Sequence, residues 1–96
     1  MAFIPRFIDN KVNIDYTRCK DVAVITTFTP SGKLKPLYFL VTDMYGNDCK
    51  TKVDGIKYTK DGNGCITFCS TYQVGNRERE CLLTYYIQDH FWVLEN

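Results

Sequence analysis

Cys65 and Cys69 lie four residues apart in the stretch GCITFCSTY, and Cys19, Cys49 and Cys81 bring the total to an odd five. Paired thiols can close a disulfide, hold zinc, or supply a nucleophile and a resolving partner. The stretch itself reads as β-strand, because β-branched and aromatic residues surround the sulfurs. In a strand, residues i and i+4 share a face but stand about 13 Å apart, at roughly 3.3 Å per residue. A disulfide needs Cα atoms within about 7 Å, and zinc holds its thiolates at about 2.3 Å. Cys65 and Cys69 are therefore expected neither to bridge each other nor to share a metal ion. They are expected to point inward with Thr67 between them, as small core residues.

The remaining chemistry is equally sparse. His90 is the only histidine, and C-x2-C and H-x3-H spacings are absent, which leaves only a zinc site assembled from distant thiols such as Cys19, Cys49 and Cys81. No metal and no cofactor is expected. A Cys–His nucleophile needs His90 beside a thiol. If residue 87 pairs with 91 and 85 with 93, Cys81 falls at the far end of that hairpin from His90. The aspartates Asp9, Asp15, Asp21, Asp43, Asp48, Asp54 and Asp61 fall mostly at turns, where the carboxylate bonds its own backbone. Glu78 and Glu80 flank Arg79 on a solvated strand face. The glycines of DGNG sit between two strands rather than before a helix, so they make no P-loop. No base, nucleophile and orienting group share one place, and the chain is not expected to be an enzyme.

Basic and aromatic residues carry the best surface signal. Lys50, Lys52, Lys57 and Lys60 fall in one segment, and Arg77 and Arg79 follow on the next connection. Tyr58, Tyr72 and Tyr86 lie near enough in a meander to interleave with them. Cations meet phosphate and rings stack on bases, so a nucleotide or single strand is one ligand class. Net charge is only +1, which denies the chain an overall field for nucleic acid or anionic lipid. Tyr, Trp and Arg also carry interface energy; Tyr38, Leu40 and Trp92 are the candidate interface residues.

These side chains must be positioned by strands. Segment 22–29 (VAVITTFT) closes on the turn PSGK, segment 35–43 (KPLYFLVTD) closes on YGND, and 49–60 (CKTKVDGIKYTK) follows. Parity in 49–60 breaks at Asp54-Gly55, where a bulge is favoured over a hairpin turn, since DGNG at 61–64 turns the chain soon after. Strands 64–73, 79–87 and 91–95 complete the series, separated by VGNRE and QDH. Connections this short imply antiparallel neighbours. Leu37 and Phe39 against Tyr38 and Leu40, and Leu83 and Tyr85 against Leu82 and Tyr86, are apolar on both faces. The expected fold is all-β: one domain, a meander over 22–96 curled into an SH3-like barrel of five to six strands. Surplus apolar surface is expected to be covered by an N-terminal arm, residues 1–21, with Phe3, Ile4, Phe7 and Ile8, or by a partner chain, and 14–21 to make one helical turn.

The start, MAFIPRFIDNKVNID, has no long apolar run and carries Pro5, Arg6 and Asp9, so it reads as neither signal peptide nor membrane span. An odd cysteine count fits a reducing compartment, and a cytoplasmic location is expected. The expected function is a small non-enzymatic protein-binding module of accessory or inhibitor type, bacterial or phage, acting by occupying a partner or by self-association. The first alternative is a nucleotide or single-stranded nucleic-acid binder using Lys50, Lys52, Lys57, Tyr58, Tyr72, Arg77, Arg79 and Tyr86. A cysteine-dependent enzyme is the second. An unpaired strand, 91–95 or 35–43, is a further place for a partner strand to add.

Overall fold

Eight strands and no helix account for the regular structure of the computed structural model, which describes residues 14–42 and 44–96. They are β1 (Cys19–Val22), β2 (Val24–Phe28), β3 (Leu34–Thr42), β4 (Asp48–Lys52), β5 (Gly55–Asp61), β6 (Cys65–Val74), β7 (Arg77–Tyr86) and β8 (Phe91–Glu95). Two antiparallel sheets result: a five-stranded one in the order β1-β8-β7-β6-β5 and a three-stranded one in the order β2-β3-β4. Among the described residues no closed barrel is found, and the strands number eight rather than the expected five to six; the fold is all-β with two separate ladders.

The chain changes sheet at two corners. Between β1 and β2 only Ala23 intervenes, and its carbonyl accepts from Leu40 N at 3.0 Å. Between β4 and β5, Val53 N donates to Leu37 O in one sheet while Asp54 N donates to Thr71 O in the other, both at 2.8 Å. Asp54-Gly55 is therefore not a hairpin turn, since β4 pairs with β3 and β5 with β6. The bulge expected there lies a little later, where the β5–β6 register shifts between Ile56 and Tyr58. Pro36 has no N–H to give a ladder, and the β2–β3 register slips beside it, between Ile25 and Thr26.

The core lies between the sheets. Phe39 of β3 meets Phe68, Cys81, Leu83, Trp92 and Leu94 of the larger sheet. Register explains the choice: Phe68, Leu83 and Leu94 sit side by side across β6, β7 and β8. The inward face of β6 thus carries Ile66, Phe68, Ser70 and Tyr72, and Cys65, Thr67 and Cys69 belong to the opposite face. This reverses the expected orientation of the two cysteines. Both parities of GCITFCSTY are apolar, and the larger side chains take the interior because they remove more surface from water. Trp92, offered above as an interface residue, is also core, at 7% exposure.

Local chemistry sets the turns. In Asp61-Gly62-Asn63-Gly64, a Cβ at Gly62 would stand 2.8 Å from Cys65 Sγ, and Gly64 has φ +79. The β7–β8 pairing is Tyr86 with Phe91 and Tyr85 with Trp92, one residue off the spacing read from the sequence. Cys81 is nevertheless at the end of that hairpin opposite His90, beside Leu82, which pairs with Glu95. Of segment 14–21 only residues 16–18 form a turn, with Arg18 N and Cys19 N donating to Asp15 O; from Cys19 on, the expected arm is strand β1, paired with β8. Phe3, Ile4, Phe7 and Ile8 lie outside the described residues.

Candidate binding cleft between the sheets

At one end of the core the sheets part, because β3 and β4 pair only from Tyr38 and Lys52 onward. Leu34, Lys35 and Pro36 have β2 on one side and no strand on the other. Strand β5 pairs with β6 alone, so its other edge is also unpaired. Between these edges lies a cleft of about 730 Å³. Ile66, Phe68 and Tyr85 wall it from the large sheet; Phe28 and Leu34 wall it from the small one. Thr59 and Asp61 of β5, Lys33 of the β2–β3 turn, and Ile87 and His90 of the β7–β8 turn complete the rim.

Hydrogen bonds hold the rim. Thr29 N donates to Lys33 O at 2.8 Å, Gly32 N to Thr29 O at 2.7 Å, and Lys33 N to Thr29 Oγ1 at 3.1 Å. Ile87 N donates to Gly64 O at 3.0 Å, tying the β7–β8 turn to the β5–β6 turn. Two apolar side chains are left in water at the mouth, Phe28 at 69% and Ile87 at 46% exposure. Exposed apolar residues beside a lined groove are the usual mark of a binding surface.

The polar fittings are few. Tyr85 Oη and His90 Nδ1 are 2.7 Å apart, the hydroxyl donating when that nitrogen carries no proton. His90 has φ 57, and its N–H donates to Tyr86 O at 2.9 Å. A non-glycine residue in the left-handed region costs backbone energy that its surroundings must offset; here the Tyr85 bond and the Tyr86 carbonyl hold it. Asp61 and Lys33 bring opposite charges to the rim, and among the described residues neither enters a salt bridge. No thiol lines the cleft among the described residues. The arrangement can grip an apolar group and orient its polar end through Tyr85 Oη and His90.

The sequence-picked residues divide over several places. Tyr38, Leu40, Lys50 and Lys52 share the outer face of the small sheet, with Tyr38 opposite Lys52 and Leu40 opposite Lys50. Lys57 and Lys60 are on the large sheet instead, because the chain changes sheet at Val53-Asp54, so the four lysines form no single cluster. Lys57 Nζ is 2.7 Å from Glu80 Oε2, and that bond holds the Glu80 carboxyl below its ordinary range. Tyr58 is exposed on β5 opposite Cys69. Coulombic repulsion from Cys69 and a hydrogen bond that the neutral hydroxyl donates to its sulfur push the Tyr58 hydroxyl up. Tyr72 packs edge-on against Phe39, ring centroids 5.3 Å apart, with Arg79 opposite it and Arg77 further along the exposed β6–β7 end. Tyr86 stacks on Phe91 at 4.8 Å on the far face of the large sheet. Of the strands proposed for partner addition, 91–95 is interior, since β8 lies between β1 and β7, and β3 lies between β2 and β4 except at Leu34–Pro36, where its β4 side is unpaired.

Sequence reasoning missed Phe28, Lys33, Leu34, Asp61 and Ile87. Each sits beside a turn, and only the parting of the sheets brings them together. Among the described residues no group of three His, Cys, Asp or Glu side chains converges on a metal-sized site, and all five cysteines are free thiols. No described helix is long and apolar enough to cross a membrane.

Burial away from the cleft has a pH consequence. Burial raises the Cys81 thiol from 9.0 to about 11, and burial, then the nearby Cys65, raises the Tyr86 hydroxyl from 10.0 to about 12. Both groups are held neutral by folding. Their contributions are complete below the unfolded values and are lost as pH climbs through the folded ones. Urea midpoints are expected to fall from about pH 9 upward, and Tyr86→Phe to flatten the most alkaline part of that fall. An alkaline slope identical in Tyr86→Phe and the parent would contradict the burial of that hydroxyl.

Known protein families, curated proteins and solved structures contain no match to this chain.

Proposed function

We propose that this chain is a non-enzymatic binding module that takes an extended segment of a partner protein along β5, with that segment's apolar side chains in the inter-sheet cleft. The observation that carries the reading is the cleft itself: an unpaired strand edge, an apolar floor of Ile66, Phe68 and Leu34, and exposed Phe28 and Ile87 at its mouth. Strand addition draws affinity from main-chain hydrogen bonds and specificity from pockets for side chains, and the unpaired β5 edge with the cleft beside Thr59 and Asp61 supports that mode. In this reading the two sheets are a small SH3-like barrel left open between β3 and β5, and the partner segment fills the opening. The two corners at Ala23 and Val53-Asp54 support it, since each carries one bent strand from sheet to sheet. Five free thiols fit work in a reducing compartment such as the cytoplasm.

Peptides selected on the immobilised protein from a random display library provide the probe. Titration calorimetry of a selected peptide is expected to give a affinity weakened roughly tenfold by Phe28→Ala, the cost of removing an aromatic anchor. Phe28 is mostly in water, so the variant keeps the fold. A selected peptide unaffected by Phe28→Ala and by Ile87→Ala would refute the cleft as the binding surface. Light scattering at rising concentration tells a foreign partner from a second copy: a dimer that the peptide dissociates assigns the edge to self-association.

A further inference from the structure

The outer face of the small sheet is chemically unlike the cleft. Lys35, Lys50 and Lys52 all stand there, and register surrounds Tyr38 with them: Lys52 is directly opposite it, and Lys50 Nζ lies 4.7 Å from the centre of its ring. Leu40 and Ile25 flank the ring, Ile25 as the cross-strand partner of Tyr38. Among the described residues none of the three lysines makes a salt bridge. The carboxylate at the end of this face, Asp48, accepts a hydrogen bond from Thr42 Oγ1 at 2.8 Å. The face is thus positive around an aromatic ring, on a chain whose total charge is +1.

We infer that this face binds single-stranded nucleic acid, with a base stacked on Tyr38 and phosphates held by Lys35, Lys50 and Lys52. Charge complementarity selects a polyanion, and the ring selects one that carries flat aromatic groups. Strand pleating supports the geometry: Lys50 and Lys52 are two residues apart, so both side chains leave the same face from Cα atoms about 6.6 Å apart along β4. The ammonium of Lys50 now covers Tyr38, but a stacked base gains more than an exposed cation–π contact does. A base therefore displaces the lysine and leaves it free for phosphate. The two edges of the sheet's partner cleft play no part, which makes the two surfaces separable by mutation.

The test is fluorescence anisotropy of labelled oligothymidine and oligouridine, titrated with the full chain at low salt. Binding is expected, with a log–log salt slope of about −2, three phosphate contacts each contributing roughly 0.7 for a single strand. Lys50→Glu with Lys52→Glu is expected to abolish it. Tyr38→Ala is expected to weaken it between about fivefold and a hundredfold, whereas Phe28→Ala leaves it unchanged. Amide shifts of the parent protein on adding oligothymidine give a readout that needs no variant, and they are expected on β3 and β4. No anisotropy change at low salt overturns the inference, as does binding that survives the double charge reversal. Equal competition by polyglutamate with no loss in Tyr38→Ala also overturns it, since that describes a polyanion contact without stacking.

Discussion

Replacing Leu83 by alanine is expected to cost about 3–5 kcal/mol of folding stability. Leu83 is 0% exposed, with Phe68 beside it on β6 and Leu94 beside it on β8. The large sheet cannot collapse on the space, because both neighbours are held by ladders on either side. A chain of this length has roughly 5–14 kcal/mol in total, so the loss is about a fifth of it or more. The melting temperature is expected to drop by about 12–40 °C, at some 4–8 °C per kcal/mol for a small domain. Leu82 supplies the internal comparison: it is adjacent in sequence, half-buried and on the opposite face. Leu82→Ala is expected to cost less than Leu83→Ala, in urea melts of the two variants. The reverse order would mean that the inward face of β7 has been assigned to the wrong parity.

A thiol reagent near pH 8 is expected to label Cys49 at once and Cys81 more than about a thousandfold more slowly. Cys49 is exposed on β4, an edge strand; Cys81 is 2% exposed in the core. Two effects act on Cys81 together. Burial raises its thiol from 9.0 to about 11, so its thiolate is roughly a hundredfold scarcer than that of an ordinary cysteine. The reagent also reaches it only when the sheets separate, an opening that draws on much of the global stability. Cys69, buried on the other face with its sulfur 3.8 Å from Glu80 Oε1, is expected to lag likewise. Labelling followed by mass spectrometry reads each site separately. Cys81 reacting as fast as Cys49 would contradict its burial between the sheets.

The strands themselves were legible because VAVITTFT, GCITFCSTY and FWVLE are dense in β-branched and aromatic residues and end on Gly, Asn, Asp or Pro. The limits of β3, β6, β7 and β8 lie within about two residues of the expected ones, whereas 22–29 and 49–60 each divide between the two sheets. Face and connection were less legible, for physical reasons that can be named. In β6, Ile66 and Phe68 compete with Cys65 and Cys69, and periodicity cannot choose between two apolar parities. At Val53-Asp54 the chain bends from sheet to sheet with two ordinary residues, one donating to each ladder. A parity break looks the same whether it marks a bulge or a corner. The β1–β8 pairing joins Cys19 to Glu95, a contact that no local pattern encodes.

The candidate site was legible only in part. Tyr38, Leu40, Lys50 and Lys52 share a face because pairing of neighbouring strands is a local matter. The cleft is not local. Phe28, Asp61 and Ile87 lie beside three different turns, and each alone reads as a solvated end of a strand. Their meaning comes from where β4 leaves β3, since that departure exposes two strand edges at once. Trp92 shows the converse: a residue type rich in interface energy was expected at the surface, and packing against Phe68, at 5.7 Å between rings, places it inside.

Amide hydrogen exchange by NMR, on the protein alone and saturated with a peptide selected on it, tests strand addition most directly. Binding along β5 predicts that amides within Gly55–Asp61 directed away from β6 become protected when the peptide is present, while Ile66, Phe68 and Ile87 shift. A saturating peptide that leaves every β5 amide exchanging as fast as before, with its shifts gathered elsewhere, would contradict it.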